Sequence, residues 1–307
     1  MNIANTSDTT PETVQRDDSA AKPGPRWPTW ARTLAPPLLM LPTVSVSMIL
    51  YLIPGFGALA QRSDSLQLLA YAPLAAVALA AYVLVSWALV HWVDRRRFRD
   101  LGFRLDLRAL LALLLGCVIA LVVAVATAGF ISIFGLGRPI DTSNADTQGS
   151  VSVLVVGIVV ILLQAFVLQG IGEEVMFRGY LMQSLRRRPM LGIFITAIAF
   201  TVPHLMSSGG QQNWLDRIVY LALPLGFALS AGFLAVALRS VWAAIGIHGG
   251  FHLANFIVGT LGLLTADGPA VYLTFGVLHA VAAAAIALLI PGGRWAHVRE
   301  FGPYGRE

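Results

Sequence analysis

The sequence predicts an all-α polytopic membrane protein with about eight transmembrane helices. Of its 307 residues, 57% are hydrophobic and only 12% are charged, whereas a soluble domain carries about 25% charged residues. Eight apolar stretches follow one another along the chain, and each is near the ~20 residues that a helix needs to cross a bilayer. These observations exclude a soluble globular protein.

The apolar stretches begin after a polar leading segment and fill most of the remaining chain. They cover roughly residues 35–60, 66–93, 109–136, 151–172, 189–206, 218–238, 242–264 and 270–290. Residues 1–32 are rich in Ser, Thr, Asp, Glu and Pro, so we expect a disordered cytoplasmic tail there rather than a signal peptide.

The distribution of basic residues predicts the orientation of the chain. If the N-terminus lies inside and the chain crosses eight times, the inner segments hold seventeen Lys and Arg residues and the outer loops hold three, with Arg178 set aside. Cytoplasmic loops carry the excess of Lys and Arg. We therefore expect a multi-pass protein of the cell membrane with both termini cytoplasmic, and no nucleic-acid partner.

The segment EEVMFR at 173–178 places ionisable residues at the end of an apolar run. A charge at membrane depth costs at least ~2.5–3.5 kcal/mol, so function is the default explanation. Glu174 and Arg178 are spaced i,i+4 and can pair. Glu173 points about 100° away and has Phe177 at its own i+4 position, so it lacks a local cation. The alternative is an ordinary helix end with solvated charges.

Two further helices carry polar side chains. His204 closes the segment FTVPH, where a histidine either packs at the interface or reacts. His248, His252 and Asn255 are spaced i, i+4 and i+7 and share one helical face, beside three glycines that permit close approach of another helix: Gly246, Gly249 and Gly250. A structural polar seam between helices is the alternative interpretation of this face.

Residues 186–189, Arg-Arg-Arg-Pro, form a natural turn between antiparallel helices. Glu173 precedes this turn and His204 follows it by equal lengths of chain, about 23 Å of helix each, which predicts similar depths. A straight helix over 151–188 would exceed the bilayer. We therefore expect it either to break at Gly170 and Gly172 or to project from the membrane.

These groups have a joint chemistry. A carboxylate in an apolar surrounding is a good proton acceptor and a competent general base. With a histidine it could deprotonate water, while donors on a third helix stabilise the resulting oxyanion. This would hydrolyse a peptide without a covalent intermediate.

Zinc is the metal to consider, because His248 and His252 have the spacing of a two-histidine helix site. The common zinc-protease motif, however, has a glutamate where Gly249 stands. We therefore expect no stoichiometric metal or other cofactor. If zinc were bound, its ligands would be Glu173, His204 and His248.

The three motifs, EEVMFR at 173–178, FTVPH at 200–204 and HGGFH at 248–252, resemble the CPBP family of CAAX proteases and bacteriocin-processing membrane proteins, also called the Abi family. They occur in the family's order, each on its own helix, within residues 150–260. The resemblance implies a catalytic core of four later helices at 150–265, after N-terminal transmembrane helices at 33–149 and before a last helix and cytoplasmic tail at 266–307. It implies an endopeptidase, of the metalloprotease or glutamate type, that cuts membrane-associated peptides or lipidated proteins.

The resemblance also implies residue roles. The matching catalytic positions are Glu173 and His204, which would activate water, and His248 and His252, which would form the oxyanion site. Glu174 and Arg178 would support the first motif. His252 is a departure, since the family has Asn or Asp there, and Asn255 remains the alternative donor.

Two other functions are compatible with the sequence. The same scaffold could serve as a non-catalytic membrane adaptor or a bacteriocin self-immunity protein, although an adaptor needs neither Glu173 nor His204. A proton-coupled transporter would show two matching halves with interrupted helices, and the sequence has no such internal symmetry.

Overall fold

A computed structural model describes residues 24–62, 64–140, 151–207 and 210–305. Within these ranges eight helices are long and apolar enough to cross a membrane. They are Thr29–Leu52 (α1), Ser65–Val93 (α2), Leu107–Phe134 (α3), Val151–Ser184 (α4), Pro189–Met206 (α5), Trp214–Leu238 (α6), Val241–Thr260 (α7) and Pro269–Leu289 (α8). A shorter helix follows at Gly292–Phe301 (α9). The predicted all-α polytopic membrane protein is confirmed.

Several helices change their winding along their length. α1 passes from α-helix at Thr29–Ser45 to 3₁₀-helix at Val46–Leu52. α2 combines Ser65–Gln67 (3₁₀), Leu68–Ala88 (α) and Leu89–Val93 (π), and α5 combines Pro189–Thr201 (α) and Val202–Met206 (3₁₀). α6 consists of Trp214–Tyr220 and Ala222–Leu238. The connections contain a short helix at Phe56–Ala60 and a 3₁₀ turn at Phe98–Leu101.

The N-terminal boundary differs from the predicted one. α1 begins at Thr29, directly after Pro28, and so includes the last residues of the segment expected to be a tail. Residues 1–23 of that segment lie outside the described residues.

α4 is one continuous helix, so the break considered at Gly170 and Gly172 is wrong. Its successive parts are Val151–Leu162 (α), Leu163–Gly170 (π), Ile171–Glu174 (α), Val175–Leu181 (π) and Met182–Ser184 (α). The glycines serve packing instead: a β-carbon at Gly172 would lie 2.5 Å from the Tyr82 ring, and one at Gly170 would lie 2.5 Å from the Ala165 carbonyl oxygen. At 34 residues, about 51 Å, α4 must tilt or project.

The turn between α4 and α5 lies where the sequence places it. Ser184 ends one helix and Pro189 begins the next. Proline suits the first turn of a helix because its missing N–H has no intrahelical partner there. The four-residue connection makes α4 and α5 antiparallel neighbours.

Small residues bring α7 against α3. A β-carbon at Gly250 would lie 2.7 Å from the Cys117 Cα, and one at Gly246 would lie 3.0 Å from the Gly116 Cα. Such close approach is the usual basis of helix association in membranes, where burial of apolar surface gives no drive. It places α7, which carries two of the predicted histidines, in the interior of the bundle.

One end of the bundle is rich in arginine, and we call it the Arg-rich end. It holds the start of α1, the end of α2, the α4–α5 turn and the α6–α7 turn, joined by contacts such as Arg32 to Asp94 at 3.3 Å and Arg96 to Gln183 at 3.4 Å. The described C-terminal residues pack onto this end rather than extending as a free tail. Tyr304 is buried and donates to the Arg178 carbonyl at 3.3 Å.

At the opposite end, two short strands join segments that are distant in the sequence. Strand β1 (Arg138–Pro139) pairs antiparallel with strand β2 (Ala266–Asp267). The Arg138 guanidinium donates to Asp216 at 2.8 Å and to Asp267 at 3.2 Å. The strand pair and these hydrogen bonds connect the segment after α3 to the starts of α6 and α8.

Candidate active site

A fully buried ion pair lies on α4. Arg178 donates to Glu174 Oε1 at 2.9 Å, and both side chains have 0% exposure. A second Arg178 nitrogen donates to the Ala228 carbonyl of α6 at 2.9 Å, and the guanidinium lies 4.8 Å from the centre of the Phe200 ring of α5. The i,i+4 pairing expected from the sequence is therefore present, and it joins three helices.

His248 of α7 shares the same carboxylate. Its Nδ1 lies 3.0 Å from Glu174 Oε1, and because an ionised carboxylate only accepts hydrogen bonds, Nδ1 carries the proton. Glu174 thus fixes the orientation of this ring, a tertiary contact between α4 and α7 that the helix spacing could not reveal. The role of Glu174 is therefore wider than support of its own motif.

Glu173 is buried beside this network but does not join it. Its side chain is 4% exposed, and Oε2 has no hydrogen-bond partner within the described ranges. The Tyr82 hydroxyl of α2 interacts with this carboxylate and also donates to the Met40 carbonyl at 3.3 Å. A buried carboxylate oxygen left without a partner is costly in an inert core, so this position calls for a ligand.

His204 lies in the 3₁₀ turn that ends α5. Its Nδ1 lies 2.9 Å from the Phe200 carbonyl oxygen, and because a carbonyl only accepts, Nδ1 bears the proton. In the neutral ring the other nitrogen, Nε2, is then an acceptor. The histidine is thus prepared to receive a hydrogen bond from water.

The predicted side chains meet at one cavity. A cavity of about 310 Å³ is lined by residues of α4, α5, α6 and α7, among them Glu173, His204, His248 and His252. The two α7 rings lie 5.5 Å apart. Glu173 and His204 both line this space, and no hydrogen bond joins them in the described structure.

Asn255 is separated from this group. It does not line the cavity, and its side-chain amide donates to the Phe251 carbonyl of its own helix at 2.8 Å. His252 lines the cavity and forms no hydrogen bond with a described residue. Helical phase alone could not distinguish the two, because they lie within one turn on the same face.

Four other polar residues line the cavity and lie outside the three sequence motifs. They are Gln164, Gln169, Ser207 and Tyr220. Gln169 lies four residues before Glu173 on α4, so the i,i+4 spacing was a signal for it. Its Oε1 is buried without a hydrogen-bond partner among the described residues. Tyr82 gave no such signal, because its approach to Glu173 depends on the packing of α2 against Gly172.

The cavity does not offer a three-ligand metal site in this geometry. Among the residues that the structure describes, no three His, Cys, Asp or Glu side chains are grouped so as to hold a metal ion. Glu173, His204 and His248, the set considered for zinc, all line the cavity, and the hydrogen bond at Nδ1 of each histidine leaves Nε2 as its possible ligand atom.

Residues 155–254 match the family described as type II CAAX prenyl endopeptidase Rce1-like. No match was found among curated proteins. The matched residues contain all three motifs and every predicted catalytic side chain, so the resemblance drawn from the motifs is confirmed. Residues 155–254 of this multi-pass membrane protein are therefore similar to the type II CAAX prenyl endopeptidases, a family of membrane proteases.

Proposed function

We propose that the protein is an intramembrane endopeptidase that hydrolyses membrane-associated peptides with a water molecule activated by Glu173 and His204. The observation that carries the proposal is the cavity of about 310 Å³, where four reactive side chains from three helices converge. A buried carboxylate at membrane depth is costly and usually functional, and here it lines a cavity large enough to admit a peptide bond.

The chemistry follows from the roles of the atoms. Glu173 accepts a proton from water while His204 Nε2 holds the water in place, and the hydroxide attacks the carbonyl carbon. The oxyanion is held by an N–H of His252, beside the His248 ring that Glu174 orients through Nδ1. Glu173 then delivers its proton to the departing amine, which breaks the C–N bond and restores the carboxylate.

The test is hydrolysis by the full chain reconstituted in liposomes. We offer internally quenched peptides, one prenylated at a CAAX-type C-terminus and one hydrophobic but unlipidated, in water enriched in ¹⁸O. Cleavage with one ¹⁸O atom in the new carboxylate is the expected result. The Glu173→Gln variant is the control. The proposal would be contradicted if neither peptide were cleaved, or if the Glu173→Gln variant cleaved them as fast as the original chain.

The cavity extends away from the Arg-rich end. Glu173 and His252 each lie about 16 Å along their helices from that end, whereas Ser207 and Tyr220 lie near the opposite ends of α5 and α6. On the side of the Arg-rich end, the Tyr304 hydroxyl donates to the Arg178 carbonyl. We therefore infer that the site is reached from the end opposite the Arg-rich end.

The positive-inside rule assigns the Arg-rich end to the cytoplasm. We infer that the protein lies in the cell membrane with both termini cytoplasmic and that its cavity opens to the outer face. A peptide that has been exported or translocated can then enter directly. This favours maturation of exported peptides over processing of cytoplasmic lipidated proteins.

Cysteine labelling of intact cells checks this orientation. In a Cys117→Ala background, Ser207→Cys is expected to react with a membrane-impermeant maleimide, because Ser207 lies at the mouth of the cavity. Arg187→Cys in the α4–α5 turn is expected to react only after permeabilisation. The reverse pattern would place the cavity mouth in the cytoplasm and restore cytoplasmic lipidated proteins as substrates.

A further inference from the structure

A second, larger cavity lies at the Arg-rich end, far from the catalytic side chains. Its volume is about 720 Å³. Its walls come from the start of α1, the segment after α2, the α4–α5 turn and the first turns of α5. Six arginines line it: Arg32, Arg95, Arg96, Arg186, Arg187 and Arg188.

The charge of this cavity is strongly positive. Six arginines against the one lining carboxylate, Asp94, leave a formal charge of +5 (6 − 1). The Asp94 carboxylate already forms two ion pairs: Arg32 lies 3.3 Å from one oxygen, and Arg96 lies 2.7 Å from the other. Within the described residues, the remaining four arginines form no ion pair with a carboxylate.

Arg186 shows the effect of this crowding. Burial, and then repulsion from Arg96 and Arg187, lowers the pKa of its guanidinium. Arginine nevertheless remains protonated in proteins, so the charge persists. A bound anion would relieve the repulsion among these guanidinium groups and supply the hydrogen-bond acceptors that they lack.

The cavity lies at the ends of three membrane helices. α2 ends at Val93, α4 ends at Ser184 and α5 begins at Pro189. Five of the six arginines lie directly beyond these ends, and Arg32 lies in the first turn of α1. Leu191 and Ile195 continue the cavity wall along α5 into the membrane, and Leu191 is 46% exposed. The site therefore has a cationic part outside the hydrocarbon and an apolar part within it.

We propose that this cavity binds the phosphate headgroup of an anionic membrane lipid, with an acyl chain lying along Leu191 and Ile195. Guanidinium groups suit phosphate because they donate paired hydrogen bonds. Basic pockets between membrane helices on the cytoplasmic side bind such headgroups. A free phosphate ion would share the polar contacts but would not use the apolar wall.

The test is lipid binding by the full chain. Delipidated protein is placed in phosphatidylcholine nanodiscs titrated with phosphatidylglycerol, and retained lipid is counted by native mass spectrometry. The Arg187→Gln/Arg188→Gln double variant is expected to bind about 30-fold more weakly, at about fivefold for each charge lost. Both arginines are exposed, so the fold should survive; Arg95→Gln, also at an exposed position, repeats the test singly.

The matched control removes two charges elsewhere on the same end. Arg239→Gln/Arg299→Gln changes exposed arginines that do not line the cavity, and it is expected to bind like the original chain. An equal loss in this control would mean that only general surface charge attracts the lipid, and would overturn the site.

A further experiment distinguishes binding of a lipid from binding of a soluble phosphate ion. Leu191→Asn is expected to weaken phosphatidylglycerol binding without affecting binding of inorganic phosphate. If inorganic phosphate displaced the lipid at equal concentration and Leu191→Asn had no effect, the site would belong to a soluble anion and the lipid proposal would fail.

Discussion

Glu173→Gln is expected to lower peptide turnover by roughly 10³-fold or more while leaving the protein folded. The amide has the shape of the carboxylate but cannot accept a proton, so the contribution of a general base, about 10²–10⁴-fold, is lost. Glu173 makes no ion pair, and one of its oxygens has no partner in the described structure. The measurement is turnover per folded protein in liposomes, with thermal unfolding as the check on the fold.

A control variant tests whether the loss of turnover is specific to Glu173. Glu300→Gln makes the same chemical change at an exposed position of α9 and is expected to leave turnover unchanged. Near-normal turnover of Glu173→Gln would show that another group accepts the proton and would remove Glu173 from the mechanism.

Glu174→Gln should behave differently from Glu173→Gln. From the sequence alone, the only partner expected for Glu174 was Arg178. In the structure the carboxylate also orients His248, and the paired arginine is completely buried. Removing one partner of a buried pair costs about 3–5 kcal/mol, so this variant should lose stability, which Glu173→Gln should not.

Local spacing and hydropathy predicted the parts of the structure that depend on neighbouring residues. The membrane helices follow from apolar length, the α4–α5 turn from three arginines and a proline, and the Glu174–Arg178 pair from i,i+4 spacing. Each of these is decided within one or two helical turns. The meeting of Glu173, His204 and His248 needed the further assumption that three helices are neighbours.

What the sequence could not predict depends on contacts between distant segments. Gly170 and Gly172 were candidates for a helix break, because an isolated glycine does not reveal whether it bends a helix or admits a neighbour. Here Gly172 admits the Tyr82 ring from α2. The covering of Arg178 by Tyr304 joins residues 126 positions apart, and no local pattern could have indicated it.

His252→Leu is expected to lower turnover by roughly 10²–10³-fold, the usual cost of removing one oxyanion donor. The loss should fall on kcat with little change in KM, because the hydrogen bond forms only as the oxyanion develops. His252→Asn, which restores a donor, should retain much of the activity. Both variants should fold, since the imidazole makes no hydrogen bond with the described protein.

Asn255→Ala decides between the two candidate donors on α7. The Asn255 amide already donates to the Phe251 carbonyl at 2.8 Å, outside the cavity, so its removal should leave turnover close to that of the original chain. To serve as the oxyanion donor, Asn255 would have to break this bond and turn its side chain toward His252. A silent His252→Leu together with an inactive Asn255→Ala would show that this rearrangement occurs, and the oxyanion site would then lie about one helical turn farther from the Arg-rich end.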